Sequence, residues 1–105
     1  MDIKYKIEFL TIAAHDLADI ENHLSQFYES TVGKFLENLH RKLNLLKKTP
    51  RIYALWPDNP AYRKFAVGNY LIFYQVFEET RLVTVCRILD GRRNIEPDDM
   101  PDAKM

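Results

Sequence analysis

Apolar and polar residues alternate strictly in "IKYKIEF" (3–9), with Ile3, Tyr5, Ile7 and Phe9 on one side and Lys4, Lys6 and Glu8 on the other. A period of two predicts a half-buried strand. The period then changes. Ala13, Leu17, Ile20, Leu24 and Phe27 recur at three- and four-residue steps, which predicts an amphipathic helix over 12–28 with Thr11 as its N-cap. A second stripe, Val32, Phe35, Leu36, Leu39, Leu43 and Leu46, predicts another helix, opened by Ser30 and closed at Thr49-Pro50. Lys47 and Lys48 fall in its last turn, where the helix dipole favours cations. So short a connection makes the two helices an antiparallel hairpin.

The proline-punctuated loop "PRIYALWPDNP" (50–60) carries large apolar side chains, which predicts that it folds back on the core. Three strands follow. Gly68-Asn69 is a two-residue hairpin signal, and Glu79-Thr80 supplies the second turn. The order is β-α-α-β-β-β, an α+β fold in which a helical hairpin covers an antiparallel sheet. Residues 1–95 form the single domain, and the acidic segment 96–105, with Pro97 and Pro101, is expected to be a flexible tail.

Embedded in the apolar strands are Arg63, Lys64 and Arg87. With Gly68-Asn69 as the turn, Arg63 pairs with Tyr74. With Glu79-Thr80 as the next turn, Tyr74 pairs with Val85 and Ile72 with Arg87. Cross-strand partners share a face, so Arg63, Tyr74 and Arg87 are expected on one side of the sheet. A longer second turn would send Arg87 to the other side. Two guanidiniums on one face suit phosphate, which arginine grips bidentately and always in charged form. A strand arginine also commonly sits at a sheet edge or pairs with a helix carboxylate, and the pattern leaves that reading open.

Charge sharpens this picture only slightly. Over the whole chain 15 Lys/Arg balance 15 Asp/Glu. Residues 51–93 hold seven cations against four anions, while the last twelve residues hold four anions against Lys104. An anionic partner is therefore drawn to the second half. The single cysteine, Cys86, lies inside an apolar run and has no adjacent histidine. It reads as a small hydrophobe in a reducing cytoplasm rather than a nucleophile. Charges interrupt the N-terminus where a signal peptide would need an apolar stretch, and no run has membrane-spanning length, so a cytoplasmic protein is expected. His15, His23 and His40 show no metal-ligand spacing, and neither metal nor cofactor is expected. Asp58, in "PDNP", reads first as turn chemistry. Trp56 and Tyr53 offer surfaces for base stacking, although loop aromatics in so small a chain more often cover the core.

In its length, its element order and the run "YRKFAVGNYLIFYQVFEETRLVTVCRILDGRRNI", the chain resembles the RelE/ParE toxins of bacterial type II toxin–antitoxin modules. The resemblance spans roughly residues 3–95. It implies a plasmid-stabilisation toxin that inhibits growth when free, and that a cognate antitoxin wraps and neutralises, in some members within a higher-order complex. The RelE branch implies a ribosome-dependent endoribonuclease that cuts mRNA through 2′-hydroxyl attack on the adjacent phosphate. On that branch Arg63 and Arg87 would be the catalytic phosphate clamp, with Lys47, Lys48, Arg51 and Lys64 on the RNA backbone. Ribonucleolytic members place Tyr or a His-Tyr pair near the C-terminus, where this chain reads Asn94-Ile95-Glu96. The ParE branch implies an inhibitor of DNA gyrase, and "LDGRRNI" is similar to that branch's "LHGRRDI" ending, with Asp90 where His is frequent. On that branch Arg92 and Arg93 belong to the target-binding surface. A third reading keeps the fold as a non-toxic protein-binding module.

Overall fold

The computed structural model describes residues 4–101. Along the chain come β1 (Lys6–Phe9), α1 (Thr11–Ser25), α2 (Glu29–Lys48), β2 (Arg63–Val67), β3 (Tyr70–Phe77) and β4 (Leu82–Asp90). A short 3-10 turn, Pro97–Asp99, follows. The strands lie in the order β1-β4-β3-β2. β2, β3 and β4 form the expected antiparallel meander. β1 instead runs parallel to β4, from Lys6 opposite Leu82 to Phe9 opposite Val85, so the sheet is mixed and not wholly antiparallel. A parallel neighbour requires a long crossover, and both helices plus two strands lie between β1 and β4.

The helices pack on one face through the stripes that define them. Ala13 and Ile20 of α1, and Phe35, Leu39, Leu43 and Leu46 of α2, meet Tyr5, Phe65, Val67, Ile72, Tyr74, Val83 and Val85 in one core. α1 stops at Ser25, shorter than its apolar pattern suggests. Phe27 is consequently in the linker and 59% exposed, and Tyr28 rather than Ser30 occupies the N-cap of α2. Thr11 starts α1 from inside, with Leu10 as a cap that makes no side-chain bond.

The opposite face has its own cluster, built from Trp56, Tyr62, Phe73, Cys86, Leu89 and Met100. The 50–60 loop supplies Trp56 and runs along the outer side of β2. There the Trp56 N–H donates to the Tyr62 carbonyl and the Lys64 N–H to the Ala54 carbonyl. Residues 96–101, expected to belong to a flexible tail, are packed. Met100 is buried at 8% exposure, and the Asp99 carboxylate accepts from the Glu96 N–H at 2.8 Å. Among the described residues no helix is long and apolar enough to cross a membrane.

Both hairpin turns keep the expected register at their mouths. Val67 faces Tyr70 across Gly68, whose φ of +59° suits a residue without Cβ. Phe77 faces Leu82 and Tyr74 faces Val85. Beyond that pair the ladder slips by one residue, because Cys86 forms a bulge, and Phe73 rather than Ile72 faces Arg87.

Candidate functional site

That slip decides the geometry of the arginines. Arg63 shares a pair with Tyr74, while Arg87 shares one with Phe73, the neighbouring residue of β3. Successive residues of a strand point to opposite faces, so Arg63 and Arg87 do not share a surface. The expected one-sided clamp is corrected, and the cause is the bulge at Cys86 and not the turn.

Each arginine instead has a partner within the chain. Arg63 Nη1 donates to the Tyr53 carbonyl at 2.8 Å and to the Arg51 carbonyl at 3.4 Å. The Tyr74 hydroxyl, fully buried, donates to the Pro50 carbonyl at 2.8 Å. Together they fasten the start of the 50–60 loop to the sheet. Burial pushes the Tyr74 hydroxyl up to about 12, against the opposing pull of the nearby Arg63 charge.

Arg87 lies on the stretch of β4 that extends past the end of β1. Its Nε and Nη2 donate to the two oxygens of Asp16 on α1, at 2.7 and 3.0 Å. The Asp16 carboxylate also accepts the Ile88 N–H at 3.0 Å, so it serves the backbone edge of β4 as well. Arg87 Nη1 donates to the Asp99 carbonyl at 2.7 Å. The hydrogen bond to Asp16 holds the guanidinium above its ordinary value, against the penalty of partial burial. Sequence reasoning missed Asp16, yet a signal was present. Positions 13, 16, 17 and 20 follow helical steps, so a carboxylate stands inside the apolar stripe of α1.

The remaining cations separate into two kinds. Arg92 pairs with Asp90 at 2.7 Å and Arg93 with Asp99 at 2.6 Å, and both arginines stay about half exposed or more. Hydrogen bonds from Arg92, from its side chain first and then its backbone, hold the Asp90 carboxyl down at about 2. Arg51 pairs with Glu78, whose other oxygen accepts the Tyr5 hydroxyl at 2.8 Å. Lys47, Lys48 and Lys64 enter no ion pair among the described residues. Lys47 and Lys48 are exposed at the end of α2, and Lys64 is half-buried on β2. Arg63 and Arg87 therefore do not converge on one anion, whereas Arg87 and Arg93 both reach Asp99, at its carbonyl and its carboxylate. Arg63 and Arg87 lie on opposite faces, and Arg92 and Arg93 sit just past the end of β4.

Cys86 is buried, and burial pushes its thiol up to about 12, as befits a packing residue. Among the described residues no group of three or more His, Cys, Asp or Glu is placed to hold a metal ion.

Comparison with solved structures defines the class. The chain superposes on a chain of the chromosomal ParDE system from P. aeruginosa with a TM-score of 0.67 at 17% identity, covering 82% of this chain and 95% of that one. The isolated E. coli RelE toxin matches with a TM-score of 0.62 at 25% identity, over 86% of this chain and 87% of RelE. A chain of the intact E. coli RelBE toxin–antitoxin complex gives the same TM-score and identity, over 85% of this chain and 99% of that one. The fold is thus that of the RelE and ParE toxins. More specifically, residues 7–95 match the model of the family described as ParE toxin of type II toxin–antitoxin system, parDE, and the chain belongs to that family. It is a type II toxin. No curated protein matches it in sequence.

Proposed function

We propose that this toxin arrests growth by binding a protein target, DNA gyrase, rather than by cutting mRNA on the ribosome, and that a cognate antitoxin neutralises it. The separation of Arg63 from Arg87 by the Cys86 bulge carries this reading. Transphosphorylation of RNA needs cations gathered on one phosphate, together with a base and an acid. Here each arginine is committed to carbonyls or to Asp16, and the chain ends its last strand in Asp90-Gly91-Arg92-Arg93. The half-exposed Arg92 and Arg93 offer a contact surface at the end of β4, each kept in orientation by a carboxylate. The antitoxin follows from the ParE family and from the likeness to a chain of the RelBE toxin–antitoxin complex. Such a pair functions inside the cell, where gyrase is found, and can assemble into a higher-order complex.

Two measurements test this. Purified toxin should inhibit gyrase supercoiling of relaxed plasmid in proportion to its concentration, and Arg92→Ala with Arg93→Ala should lose that inhibition. Undiminished supercoiling at a large excess of toxin would refute the gyrase assignment. Coexpression of the open reading frame beside the gene should restore growth, and continued arrest would remove that product as the antitoxin.

A further inference from the structure

The two edges of the sheet, β2 and β1, are finished differently. The 50–60 loop closes β2, where Leu55 bridges to Arg63 and the Lys64 N–H donates to the Ala54 carbonyl. β1 has no such cover. The Lys6 and Leu10 N–H groups point inward, to the Arg81 and Val85 carbonyls. Backbone groups alternate sides along a strand, so Ile7 and Phe9 turn their N–H and C=O groups outward. Among the described residues neither of these two amides has a backbone partner on that side. A groove of about 430 Å³, lined by residues 4–8 and Lys47, lies beside the strand. Only Tyr5 is closed, its N–H donating to the Lys47 carbonyl at 2.9 Å.

An open edge is a place where a further strand can add, and a lysine on it ordinarily discourages that. Here Lys6 is followed two residues later by Glu8. Tyr5, Ile7 and Phe9 pack toward the helical core, so Lys6 and Glu8 share the opposite face, where both are exposed. Such spacing is self-complementary. We propose that the free toxin forms a two-fold dimer in which β1 pairs antiparallel with β1 of a second copy, centred on Ile7. Ile7 then faces Ile7, and Lys6 faces Glu8 of the other copy twice over. Centring the pair on Lys6 or on Glu8 instead sets like charges against each other, so charge selects one register. In that register the two Ile7 residues exchange both backbone hydrogen bonds, and each Phe9 N–H reaches the Tyr5 carbonyl of the other copy. The Tyr5 N–H, spent on Lys47, is the one rung left out. Lys6 and Glu8 fall in the non-hydrogen-bonded pairs, where opposite side chains come closest. None of these residues belongs to the surface of Arg92 and Arg93, so the inference stands apart from the gyrase reading.

Sedimentation equilibrium of the full chain without its antitoxin tests this. The apparent mass should climb from 12.5 kDa toward twice that value as concentration rises. Lys6→Glu turns two cross-strand pairs repulsive at once and should weaken dimerisation about tenfold or more. Glu8→Lys should do the same. Combining Lys6→Glu with Glu8→Lys reverses both signs and should restore the association of the wild type. Both side chains are exposed, so the far-ultraviolet circular dichroism should be alike in all four proteins. A wild type that stays monomeric at millimolar concentration would overturn the proposal, as would a double variant that associates no better than the single ones. Hydrogen exchange gives a second reading. The Ile7 and Phe9 amides should slow with rising concentration in the wild type and stay fast in Lys6→Glu. Protection of these amides only when antitoxin is added would assign the edge to that protein and overturn the dimer.

Discussion

Asp16 stands among Ala13, Leu17 and Ile20 on the inner side of α1, and Arg87 reaches it from the part of β4 that β1 leaves uncovered. With side chains 14% and 16% exposed, the pair is far from the fully solvated limit in which an ion pair contributes little. Removing one partner leaves the other charge stranded in a partly buried place. Asp16→Asn should therefore destabilise the fold by about 2–3 kcal/mol, below the range for complete burial because solvent still reaches the site. Urea unfolding measures this, and a loss under 0.5 kcal/mol would show that the bridge is ornamental. A second residue-scale expectation concerns Asp90, whose carboxyl is lowered from 3.8 to about 2 by its bonds from Arg92. A depressed carboxyl holds its ionised contact above the ordinary value and loses it as pH falls toward 2. Carbon-detected titration should place the Asp90 midpoint near 2, and Arg92→Ala should return it toward 3.8. An Asp90 midpoint near 4 in the wild type would contradict the chelate.

At the scale of elements, α2 contributes most of the helical side of the core, and Leu39 is 1% exposed at its centre. Leu39→Ala should cost about 2–5 kcal/mol, read from the same unfolding curves, and an unchanged midpoint would remove the stripe from the core. The elements themselves were readable because β1 alternates with a period of two, the helices follow steps of three and four, and the later apolar runs are bounded by turn signals. The registers at both turn mouths were readable too, since Gly68-Asn69 and the polar Glu78–Arg81 stretch leave few ways to close. Three features were not. The bulge at Cys86 falls where β4 passes the end of β1, and a run such as Val85-Cys86-Arg87-Ile88 carries no local mark of it. The parallel pairing of β1 depends on where the chain goes after the helices. The docking of Met100 depends on an apolar face formed by residues far away in sequence, so a lone methionine among Pro97, Asp98, Asp99 and Pro101 reads as part of a tail.

Over the whole molecule, two of the cations in residues 51–93 find carboxylates from elsewhere: Arg87 pairs with Asp16 of α1 and Arg93 with Asp99 of the C-terminal segment. Net neutrality is paired off only in part, since Lys47, Lys48 and Lys64 enter no ion pair among the described residues. Two buried neutral acids set a further property. Burial raises Tyr74 from 10.0 and Cys86 from 9.0, each to about 12. The unfolded chain ionises them first, so the stability that they confer is complete below about pH 9 and is lost as pH rises toward 12. Native protein at pH 8 should accordingly leave Cys86 unreactive to a disulfide reagent until denaturant is added, and prompt labelling would show the cluster beneath Met100 to be open. The account rests most heavily on two arginines kept apart by a one-residue slip. Mapping of mRNA 5′ ends in cells arrested by the toxin tests it most directly. Intact transcripts accompanied by an SOS response are the expected result, and discrete cuts inside codons that vanish in Arg87→Ala would contradict it.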